Sequence, residues 1–484
     1  MPQLDAAINI NIVLPEISLL IASFLLLTIV PLAKQRIISS IISLASVAVS
    51  LYFIYAMWNH QQTGYFGMVT CDNFCLFSKV IFLITCGGAV MLSRDYLVKR
   101  GMDRPEYYAM MLISTSGMMF MVSSSNLMVI FIGLEIMSLP LYVLAGFFKD
   151  DVKSTESAAK YFFMGAFASA FLLYGIALVY GGTGTTDLSK IFMSTGIALQ
   201  KNELYLIIGA ALILIGFAFK IAAFPFHMWV PDVYQGAPTP VTAFFSIGPK
   251  AAGIAVLLRI FIIGFGGVYE SFTIIFWILA FLTMATGNIF ALMQNDVKRM
   301  LAYSSIAHAG YLMLALTAGS SEAVSAALFY LLAYSFFNMG AFAIVTIVEN
   351  KTGTNHIDTY KGLASRHPWL AVFLALFMFS LAGFPPTAGF IGKFYIFSAA
   401  IKANLVWLVV AAVMNSLISV YYYLRPIKAA FFEKAEGEES SAVQLTLGPL
   451  MVVAIIITSV GALGLGLFPN YFLKLAAASG LMMM

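Results

Sequence analysis

The sequence predicts an all-α polytopic membrane protein with about fourteen transmembrane helices. Three observations carry that prediction. Of 484 residues, 61% are hydrophobic and 10% charged, whereas a soluble domain carries about 25% charged residues. The mean hydropathy is +0.93, more apolar surface than a water-soluble core needs. The apolar residues also come in continuous runs of about 20, the length that crosses a ~30 Å hydrocarbon core. A membrane β-barrel would show short alternating segments instead.

In chain order the runs cover residues 14–32, 38–58, 74–92, 107–122, 127–147, 157–180, 204–227, 240–263, 272–292, 301–316, 323–348, 369–401, 405–423 and 445–467. Each is bounded by polar residues or by Gly and Pro. The N-terminal stretch "MPQLDAAINI" has no basic region and no small-residue cleavage site, so insertion by the first helix is expected. Loop charge gives the direction of each span. Sixteen Lys and Arg, Lys34 and Arg36 among them, fall in loops that follow odd-numbered spans; four, Lys190, Lys201, Lys402 and Lys474, follow even-numbered ones. By the positive-inside rule the first set is cytoplasmic and both termini lie outside.

The net charge of +4 forms no basic stripe, which excludes a nucleic-acid surface. The three cysteines, Cys71, Cys75 and Cys86, are too few to ligate an iron–sulfur cluster. No histidine has the neighbours of a metal site, and Walker, Rossmann, Ser-His-Asp and zincin motifs are absent. No redox centre, cofactor or metal is therefore expected on this chain.

The informative residues are charges where lipid should be. Glu135 lies in "IGLEIMSLPLY", Lys160 in "ESAAKYFFMGAF", Lys220 in "FAFKIAAFPFH", Lys250 in "AFFSIGPKAAGIAVLL" and Lys393 in "TAGFIGKFYIFSA". Each would cost about 2.5–3.5 kcal/mol if left alone at a helix centre. Lys79 and Arg259 stand near span ends. Snorkelling to the headgroups is the favoured reading for Arg259 and balanced against others for Lys79. It does not serve Lys220 and Lys250, which apolar residues flank on both sides. Glu135 and Lys160 belong to consecutive antiparallel spans at depths that differ by about 10 Å or less, so contact between them is expected, either as a switch or as a static ion pair. A buried lysine tends to lose its proton and a nearby carboxylate retains it, so relative movement of the two would release or capture a proton. Lysine suits that role where arginine would stay charged. His308, in "AYSSIAHAGYL", shares a helix face with Ser304 and Tyr311; it is either a proton relay or a hydrogen-bonded core histidine. His227 and Asp232 read as interfacial and structural.

"AAFPFH" at 222–227 is echoed by "AGFPPT" at 382–387, the Phe-Pro pairs 160 residues apart. Each interrupts a long apolar run. Proline removes a backbone donor, and the freed groups need water or polar partners inside a membrane. A break beside Lys220, and another beside Lys393, would each make a local polar pocket. Paired broken segments of this kind point to inverted repeats with sites near the midplane.

"LEIMSLPLY", "FKIAAFPFHMWVPDVYQGAPTPVTAF" and "LAGFPPTAGFIGKFY" closely resemble the antiporter-like membrane subunits of respiratory complex I, the proton-pumping NADH–quinone oxidoreductase. The likeness extends over nearly the whole chain, with its core at 107–423. It is closest to the N type, the bacterial relative of the second mitochondrial membrane subunit: the L type is longer, and the M type usually has glutamate where this chain has Lys393. The resemblance implies helices one to three in 1–106, inverted repeats of helices four to eight in 107–263 and nine to thirteen in 272–432, a last helix in 433–484, and breaks in helices seven and twelve. It implies that Glu135, Lys160, Lys220, Lys250 and Lys393 carry proton translocation and that His308 helps link the halves. It places NADH, flavin, iron–sulfur clusters and quinone on partner subunits, with other antiporter-like subunits as membrane neighbours. Two other readings stand beside it: a subunit of a multi-subunit cation/proton antiporter, and a non-pumping membrane scaffold.

Overall fold

The structure, a computed structural model, describes residues 8–32, 37–197, 199–434 and 447–481. Lys34 and Arg36 of the loop-charge pattern and both extreme ends of the chain lie outside the described residues. Strand structure among those described is a single antiparallel hairpin, β1 (Gln62–Gly64) with β2 (Val69–Cys71). The helices run α1 (Leu14–Thr28), α2 (Ile37–Met57), α3 (Asn73–Lys99), α4 (Pro105–Val122), α5 (Leu127–Ala145), α6 (Val152–Thr183), α7 (Leu188–Ile197), α8 (Leu199–Ile221), α9 (Trp229–Gly236) and α10 (Thr239–Arg259). After a short π-helical turn come α11 (Tyr269–Leu292), α12 (Val297–Ala318), α13 (Ser321–Thr352), the single turn α14 (Leu363–Arg366), α15 (Pro368–Ala382), α16 (Ala388–Lys402), α17 (Val406–Phe432), α18 (Pro449–Leu467) and α19 (Pro469–Ala478).

The helices start where side-chain oxygens can cap them. Asp72, Asn126, Asp151, Asp296 and Ser320 each accept a backbone N–H from the first turn of α3, α5, α6, α12 and α13. Twelve helices among the described residues are long and apolar enough to cross a membrane. The two expected spans outside that group are α4 and the broken pair α15–α16. The chain is a multi-pass membrane protein, and α10, α12 and α13 are buried around almost their whole circumference. The short α7 and α19 were not expected from the apolar runs.

The loops pair according to the parity of the spans they follow. Ser125 N–H donates to Met68 O at 3.2 Å, Leu127 N–H to Thr186 O at 2.8 Å and Leu188 N–H to Ser125 O at 2.8 Å. These join the loops after the second, fourth and sixth spans. Val297 N–H donates to Asn355 O at 2.9 Å and Ile357 N–H to Asn295 O at 2.8 Å, and Arg425 Nη1 donates to Gln294 O at 2.7 Å. These join the loops after the ninth, eleventh and thirteenth. In each set the joined loops follow apolar runs of the same parity in chain order.

One repeat escaped the sequence reading. Helices α6 and α13 each have 32 residues and end at a left-handed glycine, Gly184 (φ 72°) and Gly353 (φ 76°). Thr183-Gly184-Thr185 and Thr352-Gly353-Thr354 then make the same turn, in which the first threonine hydroxyl donates to the carbonyl of the second and accepts its N–H. The residue after each turn accepts the N–H of Leu127 or Val297, the first residue of α5 or α12. One stitch belongs to the even-parity loops and the other to the odd-parity loops.

The structure corrects the snorkelling readings. Lys79 is fully buried and pairs with Glu16 of α1 at 2.7 Å, both side chains 0% exposed. Arg259 is 2% exposed and holds both carboxylate oxygens of Asp72 at 2.7 Å. Both cations turn inward to acids on other elements, Glu16 and Asp72, which proximity to a span end does not reveal. Breaking a buried pair on one side leaves an uncompensated charge, a loss of about 3–5 kcal/mol. Lys79→Ala is therefore expected to deplete the chain from membranes, and Glu16→Leu with Lys79→Leu to restore much of it; immunoblotting of washed membranes checks this, and undiminished Lys79→Ala protein would contradict it.

Candidate functional site

Lys220, Lys250 and Lys393 are 2%, 3% and 5% exposed, so none reaches the membrane surface. Each has a proline nearby in the sequence, and the backbone carbonyls around the three are satisfied in different ways.

In the first break, α8 ends at Ala222 in the left-handed region (φ 62°), two residues before the cis peptide Phe224–Pro225. Trp229 Nε1, from the far side of the break, donates to Phe219 O at 3.1 Å. Thr283 of α11 accepts the Phe224 N–H at 2.9 Å. Lys220 Nζ donates to Ser138 Oγ at 2.8 Å and Tyr142 OH at 3.1 Å on α5. It also lies 5.3–5.7 Å from the ring centroids of Tyr142, Tyr161 and Phe219, within cation–π range.

Lys250 has a proline neighbour but no break. Pro249 lies inside α10 and leaves the Phe245 carbonyl without its helical donor; the Tyr234 hydroxyl takes that place at 3.0 Å. Lys250 Nζ donates to Ser305 Oγ of α12 at 2.7 Å.

In the second break, Gly383 (φ 89°) ends α15 and the cis bond is Pro385–Pro386. Lys393 itself supplies the missing donors, to Leu381 O at 3.2 Å and Ala382 O at 2.9 Å, with Ser416 Oγ of α17 at 2.9 Å. The left-handed caps Ala222 and Gly383 lie 161 residues apart, one more than the Phe-Pro echo: Pro386, not Pro385, stands where Pro225 does. A Cβ on Gly383 would come within 3.0 Å of Lys393 Cδ.

Side chains connect the three lysines. Tyr161 stacks on Trp229 with centroids 4.5 Å apart, and Trp229 meets Tyr234 at 6.0 Å; Lys250 Nζ lies 5.7 Å from the Tyr234 centroid. Aromatic rings thus span the distance from Lys220 to Lys250. Beyond Lys250, Ser305 is one turn from His308 on α12. His308 Nδ1 is 2.5 Å from the Tyr330 hydroxyl and Nε2 is 3.1 Å from that of Tyr423, which also bonds Ser304. The His308 ring meets Tyr311 edge-on at 5.7 Å, and Lys393 Nζ lies 5.1 Å from the Tyr311 centroid. The shared face of Ser304, His308 and Tyr311 is therefore turned toward the row.

Glu135 lies one turn from Ser138 on the same face of α5, and Ser169 of α6 donates to its Oε1 at 2.6 Å. The expected contact with Lys160 is not formed. Lys160 is 40% exposed and pairs with Glu156 at 2.7 Å and Asp232 at 2.8 Å. Asp232 also binds Arg299 at 2.8 Å. The reason is the break: it returns the chain through α9, which carries Asp232 alongside α6 and offers Lys160 a nearer acid. His227, read as interfacial, is 7% exposed inside the break, its ring 5.7 Å from that of Phe224. Among the described residues no group of three His, Cys, Asp or Glu side chains comes together to hold a metal.

Comparison with known proteins bears on this arrangement. A family profile described as "NADH:quinone oxidoreductase/Mrp antiporter, TM" matches residues 124–419. NADH-quinone oxidoreductase subunit N of Trichlorobacter lovleyi is 45% identical over 98% of this chain and 97% of its own length. The chain belongs to the NADH-quinone oxidoreductase subunit N family. A chain of respiratory complex I from Thermus thermophilus superposes on it with a TM-score of 0.80, at 32% identity over 96% of this chain and 100% of that one. A chain of the Mrp complex from Dietzia sp. gives a TM-score of 0.83 at 22% identity over 97% of this chain and 96% of that one, a likeness of fold. Within the subunit N family, then, the buried row runs through the segment that the profile covers.

The two caps make opposite predictions. Gly383→Ala places a Cβ in the left-handed region at about 1–2 kcal/mol and against Lys393, and should lower the thermal stability of the purified complex. Ala222→Gly removes the same penalty and should leave stability equal or higher. Melting temperatures followed by activity loss test both; an unchanged value for Gly383→Ala would refute the strained-cap account.

Proposed function

We propose that this chain is a proton-translocating membrane subunit of an NADH–quinone oxidoreductase, coupling electron transfer elsewhere in the complex to proton movement across the cell membrane. The observation that carries the reading is the row itself: three lysines on three separate elements, each buried, each held by neutral hydroxyls or carbonyls, and connected by Tyr, Ser and His side chains. A scaffold has no use for three such charges at about 2.5–3.5 kcal/mol each. Protons enter from the positively charged face, pass Lys220, Lys250, His308 and Lys393, and leave on the other side. Glu135, joined to α6 through Ser169 and one turn from Ser138, biases Lys220, while Lys160 answers to Asp232.

The same reading takes the chain as fourteen crossings, with α4 and the α15–α16 pair added to the twelve long helices, and both termini on the outer side. It takes 107–263 and 272–432 as inverted repeats, which the paired Thr-Gly-Thr stitches and the left-handed caps support. Flavin, iron–sulfur clusters and quinone belong to partner subunits, and other antiporter-like subunits flank it in the bilayer.

Lys220→Ala and Glu135→Ala should each sharply reduce coupled activity while the complex still assembles. NADH-driven quinone reduction and proton uptake in inside-out membrane vesicles provide the measure; wild-type pumping in both variants would remove the mechanism.

A further inference from the structure

We propose that protons reach Lys250 through their own buried entrance, which opens at Glu349 and follows α10, instead of arriving only by way of Lys220. The inference rests on the proton-translocating reading above.

A polar cleft of about 260 Å³ opens on the positively charged face, lined by Arg100, Lys153, Gln235, Lys298, Glu349 and Asn355 among others. Glu349 lies at its buried end. Its Oε1 accepts from Tyr96 at 2.9 Å and Arg100 at 3.2 Å, and its Oε2 from Asn355 at 3.1 Å and from Thr239. Lys298, 2% exposed, turns away to Ala237 O at 2.6 Å. The cleft thus ends on a carboxylate at the first residue of α10.

From that residue a polar stripe continues inward. Thr239, Thr242, Ser246 and Lys250 follow one another at three- and four-residue spacing on a single face of α10, over about 16 Å, and all are buried. The facing helix α13 carries a matching set one turn apart. Asn338 Nδ2 donates to Ser246 Oγ at 2.7 Å. Asn338 Oδ1 and the Tyr334 hydroxyl, on residues 0% and 2% exposed, have no hydrogen-bond partner among the described residues. Buried polar atoms without a protein partner are answered by ordered water, and these two flank the stretch between Ser246 and His308, whose ring lies 5.0 Å from that of Tyr334. The chemistry of the file is uniform: the Glu349 carboxylate draws hydrated protons to the inner end of the cleft, hydroxyl and amide groups hold the water that carries them on, and Lys250 receives the proton. The ring stack of Tyr161, Trp229 and Tyr234 toward Lys220 offers fewer polar atoms than this file, so the file gives Lys250 a second supply beside the one that passes Lys220.

The test uses the intact complex in inside-out vesicles, with NADH-driven proton uptake as the readout and chain abundance measured by blot. Asn338→Leu keeps the branched outline and removes the polar atoms; proton uptake should fall about tenfold, equivalent to about 1.4 kcal/mol on the barrier. Asn338→Ser keeps a polar atom and should retain more than half of the rate, a rescue that a purely packing role would not give. Ser246→Val, compared with Ser246→Thr, reads the same file independently where Asn338→Leu fails to assemble. Wild-type uptake in Asn338→Leu and Ser246→Val, with Lys250→Ala inactive, would overturn the entrance and leave the lysine row standing. Wild-type uptake in Lys250→Ala as well would bring down the translocation reading beneath it.

Discussion

One constraint governs the polar groups around the lysine row: a backbone group released inside a hydrocarbon layer must find a partner within the protein. The regular helical ladder is interrupted near three lysines, and each case is solved with different chemistry. An indole N–H reaches across the first gap to Phe219 O. A phenol takes the carbonyl that Pro249 strands. In the second break the ammonium of Lys393 does the work of the missing amides. Lys393 is therefore part of the backbone's own bonding scheme, whereas Lys220 and Lys250 are held by side-chain hydroxyls that can turn toward other partners.

The same constraint explains which helices carry the charges. Helices α10 and α12 have almost no lipid-facing surface, so Lys250 and His308 are enclosed on all sides by protein. The aromatic residues packed among them, Tyr161, Trp229, Tyr234 and Tyr311, combine apolar bulk with a polar edge. They fill the space between charges without adding charge. Ionisable groups buried within membrane spans are rare, and here they fall within the segment matched by the family profile.

Much of the membrane architecture could be read from the sequence because hydropathy and loop charge report on lipid directly. The runs at 240–263 and 323–348 fall within α10 with the turn after it and within α13. Lys220 and Lys250 were visible because apolar neighbours on both sides leave no route to the surface, and Lys393 because it follows the second Phe-Pro break within an apolar run. What one-dimensional spacing could not give was partnership. Lys160 was matched with Glu135 because their helices are consecutive, but Asp232, 72 residues on, is closer. Lys79 and Arg259 looked like interfacial cations because their acids, Glu16 and Asp72, lie on other elements. The Thr-Gly-Thr stitches escaped because three small residues carry no hydropathy signal; their sign was the recurrence of the tripeptide after two long helices.

Asp232 has a consequence beyond holding Lys160. Its Oδ2 faces Lys160 on α6 and its Oδ1 faces Arg299 on α12, so a single carboxylate is shared by cations rooted in the two halves of the chain. When one cation withdraws, the whole negative charge falls to the other. Arg299 stands on the same helix as Ser305, under two turns from the hydroxyl that holds Lys250. The carboxylate on the short α9 thus ties the rim of α6 to α12, the helix whose Ser305 hydroxyl accepts from Lys250.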